Sequence, residues 1–74
     1  MTPSQFYSLD EAEQAETVWE GEHIADRKDE EHNILLYQIG NLFVEAYYHR
    51  EHNVLRKFKA FTKDELLDIY LLKN

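Results

Sequence analysis

The 74-residue sequence predicts an α+β fold: a three- or four-stranded antiparallel β-meander with flanking N- and C-terminal helices. Two observations predict it. Between Asn33 and Phe61 lie three runs rich in β-branched and aromatic residues, parted by short breaks with turn chemistry. On either side of them stands a Ser/Thr-x-x-Glu box, the sign of a helix start. The element order is α-β-β-β-β-α, or α-β-β-β-α if Glu22 to Lys28 is not a strand.

Residues 1–7 hold the only proline, Pro3, and are expected to be a frayed lead-in to a single small domain spanning 1–74. Ser8-Leu9-Asp10-Glu11 then fits a capping box, with Ser8 as cap. Leu9, Ala12, Ala15, Val18 and Trp19 recur at helical spacing, while Glu13, Glu16 and Glu20 fall off the stripe, so a helix is expected over about 9–20. Gly21 stands where a left-handed residue can end it. Residues 23–28 alternate weakly, with Ile24 and Ala25 the apolar positions, and suit a charged edge strand before the polar turn Asp29-Glu30-Glu31-His32.

Asn33–Ile39 is the next strand, and Gly40-Asn41 the break before Leu42–His49. After Arg50–Asn53 comes Val54–Phe61. Thr62-Lys63-Asp64-Glu65 is the second capping box, and the helix behind it is expected to run to about Leu72, with Leu66, Ile69 and Tyr70 on one face and Lys73 at its negative end.

Period-two alternation sorts the strands into faces. Leu42, Val44, Ala46 and Tyr48 oppose Phe43, Glu45, Tyr47 and His49; Arg56, Phe58 and Ala60 oppose Leu55, Lys57, Lys59 and Phe61. The Asn33–Ile39 strand is apolar on both sides, so both sheet faces need a cover. Either the two helices take opposite faces, or Phe6, Tyr7 and Phe61 fold across one side, or that side meets a partner. The residues expected at such an interface are Leu35, Tyr37, Ile39, Phe43 and Tyr47.

Composition excludes several function classes. The net charge of −7 opposes unaided binding to nucleic acid or an anionic membrane surface. Residues 1–33 carry ten acids against Arg27 and Lys28, whereas residues 34–74 carry five acids and six bases. With no cysteine there is no disulfide, thiolate metal site or thiol nucleophile. No apolar run approaches the roughly 20 residues of a membrane span and no leader pattern opens the chain, so a cytoplasmic location is expected. A domain this small has a stability on the order of 3–5 kcal/mol, which favours association.

Candidate chemistry is sparse. His49-Arg50-Glu51-His52 sets two imidazoles three residues apart, yet a zinc site needs three or four converging ligands, and no metal or other cofactor is expected. Glu45, mid-strand, needs a partner if its face is covered, and Lys57 or Lys59 on the next strand would serve as a cross-strand ion pair. Ser4 and Ser8 lie outside any nucleophile setting, and Gly21 and Gly40 stand alone, so no phosphate loop exists. Arg56-Lys57-Phe58-Lys59 interleaves cations with an aromatic, which in an acidic protein reads as a solvated strand face.

Ile34-Leu35-Leu36-Tyr37-Gln38, Phe43-Val44-Glu45 with Tyr47-Tyr48, then Phe58, Phe61, and Leu66-Leu67-Asp68 with Tyr70-Leu71 together resemble the pattern of a family of short uncharacterised bacterial proteins. The resemblance spans about residues 17–72 and implies the meander, but no activity. This chain departs from it at Ile69, where proline is frequent, a change that permits a longer last helix.

A non-catalytic protein-interaction domain is therefore expected rather than an enzyme. Its partner would be another protein or a second copy, joined through the apolar sheet face. The alternative is a small acidic regulatory inhibitor whose first helix, with Asp10, Glu11, Glu13, Glu16 and Glu20, docks on a basic surface.

Overall fold

The computed structural model describes residues 1–70, apart from the side chains of Leu67 and Ile69. Its elements are α1 (Pro3–Tyr7), α2 (Glu11–Glu20), β1 (Glu22–Lys28), β2 (His32–Ile39), β3 (Leu42–His49), β4 (Leu55–Phe61) and α3 (Lys63–Tyr70). The strands form one antiparallel sheet in the order β1-β2-β3-β4, so the α+β meander is four-stranded with β1 at one edge and β4 at the other.

The N-terminus differs from expectation. Residues 3–7 are not a frayed lead-in but a short helix. Thr2 and Gln5 cap it reciprocally, and Phe6 at its centre is fully buried. Burial of one aromatic ring, worth roughly 1.5–3 kcal/mol, holds down a turn too short to be stable alone. The box that starts α2 also sits two residues later than expected. Asp10, not Ser8, caps the helix, accepting from the Glu13 amide at 2.8 Å while the Glu13 carboxylate accepts from the Asp10 amide at 3.1 Å. Ser8 instead closes α1, donating to the Gln5 carbonyl.

Gly21 ends α2 for a reason other than a left-handed turn, since its backbone is extended (φ −78°, ψ 179°). A Cβ there would lie 2.7 Å from Ile39 Cγ1 and 2.8 Å from the Gln38 carbonyl oxygen. Only glycine lets the helix end press against the end of β2. Gly40 is where positive φ is needed: at +59° it opens the two-residue β2–β3 turn as the first central residue of a type II′ hairpin does. The longer β3–β4 turn places Asn53 at φ +54°, a conformation asparagine tolerates better than most residues.

The register puts each strand's alternate residues on known faces. Tyr37 pairs with Val44 and Val44 with Ala60; Leu36 pairs with Glu45 and Glu45 with Lys59. On the first face α1 and α2 lay Phe6 and Val18 over Leu42, Val44 and Ala60, with Leu9, Tyr37, Ile39 and Phe58 around them. On the second, α3 lays Leu66 over Leu36, Phe43 and Phe61, flanked by Ala25 and Tyr70. The helices thus take opposite faces. Thr62 and Glu65 form the capping box of α3, with bonds of 3.0 and 3.3 Å. The expectations for the Leu67 and Ile69 side chains, for the helix beyond Tyr70 and for Lys73 lie outside the described residues.

Candidate functional site

Among the described residues the most buried polar group is the carboxylate of Glu45, in the middle of β3 beneath α3, with none of its surface exposed. Its partner is neither Lys57 nor Lys59. Arg27, on β1, reaches across β2 and donates from Nε to Oε2 at 2.7 Å and from Nη2 to Oε1 at 3.0 Å. Tyr47 donates its hydroxyl to Oε1 at 2.9 Å, and Tyr70 of α3 donates to Oε2 at 2.7 Å. Arg27 Nη2 also donates to the Tyr47 oxygen at 3.1 Å, and the guanidinium carbon lies 5.7 Å from the centre of the Tyr70 ring.

Arginine wins over lysine on geometry. Its planar fork meets both carboxylate oxygens at once and sheds water more readily than an ammonium. Lys59 stands opposite Glu45 in register, but its ammonium lies over the Phe61 ring at 5.8 Å, and that of Lys57 over the Tyr47 ring at 4.8 Å. Both lysines keep their charge towards solvent while their stems cover apolar surface.

The electrostatics follow from this geometry. Burial pushes the Glu45 carboxyl up, but the hydrogen bonds from Arg27, Tyr70 and Tyr47 outweigh it and hold the group below its ordinary value. The bond to Glu45 keeps Arg27 firmly protonated. Burial, reinforced by the bond to Glu45, pushes the Tyr47 hydroxyl up to about 12 and raises that of Tyr70 as well. Four donors on two oxygens leave no open lone pair, and no buried side-chain nitrogen or oxygen among the described residues lacks a partner. Such a group locks a sheet to a helix. It has no access through which to take a proton from a substrate.

The histidines do not converge on a metal geometry. The His49 and His52 rings stack at 4.8 Å, and His49 Nδ1 is occupied as acceptor for the amides of Glu51 and His52 at 3.2 and 3.3 Å. His32 packs edge-on against Tyr47 and bonds Asp29, whose carboxylate also takes the amides of Glu31 and His32. These contacts shape the two turns. Among the described residues no group of three or more His, Asp or Glu side chains is placed to hold a metal.

The open surface lies on the face that α2 covers only in part. Of the five residues expected at an interface, Leu35, Tyr37 and Ile39 are on this face, whereas Phe43 and Tyr47 are buried on the other, Phe43 beneath α3 and Tyr47 beside His32 and Lys57. Tyr37 and Ile39 pack against the α1/α2 core. Leu35 lies beyond it, in a cleft of about 450 Å³ with Tyr48, rimmed by Asp26, Lys28, Asn33 and Asn53. Burial and the neighbouring Tyr37 push the Tyr48 hydroxyl up. Trp19, half exposed, bridges Tyr37 and Phe58 with ring centres 5.9 Å from each, and His23 lies 5.4 Å from Tyr37. Trp19, Tyr37, Phe58 and His23 thus form an aromatic group on the same face as the cleft.

The fold and these sites define a small α+β domain with a closed internal polar network and one partly open aromatic sheet face. In comparisons with protein-family models, curated proteins and solved structures, nothing matches.

Tyr48 and Trp19 were not expected at the surface patch, nor Arg27 and Tyr70 at the carboxylate. A signal existed for Arg27. Once β1 is paired with β2, Ala25 and Arg27 share a face with Glu45, and Arg27 is the one cation there on that strand.

Proposed function

We propose that this chain is a non-catalytic protein-interaction domain. It associates, with a second copy or with another protein, through the open half of the α1/α2 face. The observation that carries this is the cleft lined by Leu35 and Tyr48, on the same sheet face as the half-exposed Trp19 and the partly buried Tyr37. Tyrosine and tryptophan around an apolar floor, with a polar rim, is the composition of interface centres. The one buried acid, Glu45, is fully engaged in structure, which supports a role without catalysis.

Sedimentation equilibrium is expected to return a mass above the 8.9 kDa monomer at high concentration, and Leu35→Glu to restore the monomer without changing the circular dichroism. If the unaltered chain is monomeric, the partner is heterologous, and its capture from the native host should be lost in the same variant. Association insensitive to Leu35→Glu, or none of either kind, would overturn the proposal.

A second reading rests on α2, whose Glu11, Glu13, Glu16 and Glu20 side chains are all exposed. An acidic inhibitor using that surface would bind a cationic partner and lose it as salt rises. Salt-insensitive binding separates the aromatic cleft from the acidic helix.

A further inference from the structure

We infer that the outer edge of β4 takes an extended acidic peptide as a fifth strand, in particular one that alternates carboxylate with apolar side chains. This surface is distinct from the cleft at Leu35 and adds to the interaction proposed there.

β4 ends the sheet, so alternate residues turn their backbone N–H and C=O groups outward. The Ala60 amide is one of these, and it donates to the Tyr7 hydroxyl at 2.8 Å. By the two-residue repeat the Phe58 amide and carbonyl point outward too, and among the described residues no side chain bonds to them. Tyr7 therefore closes the edge at one end, and the stretch from Leu55 to Lys59 is left open as a template, with its regular ladder running from Lys57 and a register shift between Leu55 and Lys57.

The charge along that template has one sign. Arg56, Lys57 and Lys59 are exposed, and among the described residues no carboxylate lies within ion-pair distance of any of them. In a chain of net charge −7 this is a concentrated exception. Lys57 and Lys59 belong to the α3 face, opposite Tyr47 and Glu45, while Phe58 belongs to the other. Along this edge Arg56 and Phe58, together with Leu55 and Lys57, line a groove of about 350 Å³ with Glu11 and Gln14 of α2. Leu55 at 38% exposure and Val54 at 53% leave apolar surface beside it.

A strand added here would aim alternate side chains at the two lysines and the intervening ones at the groove. Hence the alternation of acid and apolar residue. The same lysines oppose a second copy of β4, because antiparallel pairing would set them against each other. Each edge strand carries one register irregularity, β1 between His23 and Ala25 and β4 between Leu55 and Lys57, but β1 spends Arg27 on Glu45 and so offers fewer free cations than β4.

The test is fluorescence anisotropy and amide chemical-shift mapping on the full chain with a short labelled peptide of alternating glutamate and valine. Saturable binding is expected, with shifts at residues 55–60. Lys57→Glu with Lys59→Glu should weaken it by about tenfold or more, Lys57→Gln with Lys59→Gln by less. The same peptide N-methylated at alternate residues should not bind, since its main chain can no longer pair. Absence of saturable binding at low salt overturns the inference, as does equal binding of the N-methylated peptide. Shifts centred on Leu35 and Tyr48 would overturn it too while leaving the cleft proposal standing; that proposal fails separately, if association ignores Leu35→Glu.

Discussion

On the α1/α2 face of the sheet Phe6, Val18, Leu42, Val44 and Ala60 interlock through apolar side chains alone. On the α3 face Leu36, Phe43, Phe61 and Leu66 share their layer with an ionised carboxylate, a guanidinium and two phenols. The first arrangement is held by area and shape, which are tolerant of small shifts. The second is directional. Tyr70 meets Glu45 only if α3 lies at one place along the sheet, and Arg27 meets it only if β1 is in register two strands away. A polar network of this kind contributes little net stability over an apolar replacement, but it penalises any misplacement heavily.

Substitutions sharpen the contrast. Arg27→Met should cost the most, about 3–5 kcal/mol, because it leaves a buried carboxylate without its countercharge. Against a total stability on the order of 3–5 kcal/mol the variant should be largely unfolded. Combining it with Glu45→Leu should recover most of the loss in urea titrations, as apolar replacements of buried ion pairs commonly do. A double variant as weak as the single one would mean that the network itself, not the stranded charge, carries the stability. On the other face Leu42→Ala should cost about 2–5 kcal/mol, by lost burial and a cavity. That cost should be unchanged between neutral and mildly acidic pH, because no titrating group lines the site; a marked pH dependence would break the distinction between the faces.

The same distinction explains what could be read from the chain. The three central strands follow from β-branched and aromatic runs, and the faces of β3 and β4 follow from alternation, because both signals are local. The Thr62–Glu65 box marks α3 for the same reason. Ser8 was expected to cap α2, but Asp10 with Glu13 meets the same local pattern two residues later and is the cap. The tertiary position of Phe6 draws residues 3–7 into a turn of their own that Ser8 closes. Gly21 marked the end of α2 but not the reason for it, which depends on Ile39, distant in sequence. The partner of Glu45 was the largest miss. Neighbouring strands suggest Lys57 and Lys59, whereas Arg27 is eighteen positions away and reaches over an intervening strand. The candidate interface was split for a related reason. The apolar character of Phe43 and Tyr47 was legible, but α3 covers Phe43, while His32, Lys57 and the Arg27–Glu45 pair surround Tyr47.

Glu45 is charged in the folded chain, and this charge fixes the α3 face. A group whose folded value is lowered stabilises the fold above its ordinary value, and that stabilisation is lost as pH falls through the folded value. Tyr47 has the opposite sign: its contribution is present below the ordinary tyrosine value of about 10 and is lost as pH rises through about 12. The most direct measurement is a carbon-13 titration of the Glu45 carboxyl in the folded protein. Its midpoint should lie below the ordinary glutamate value of about 4.3, with stability declining as the group protonates. A midpoint at or above that value, with α3 still docked, would contradict the account.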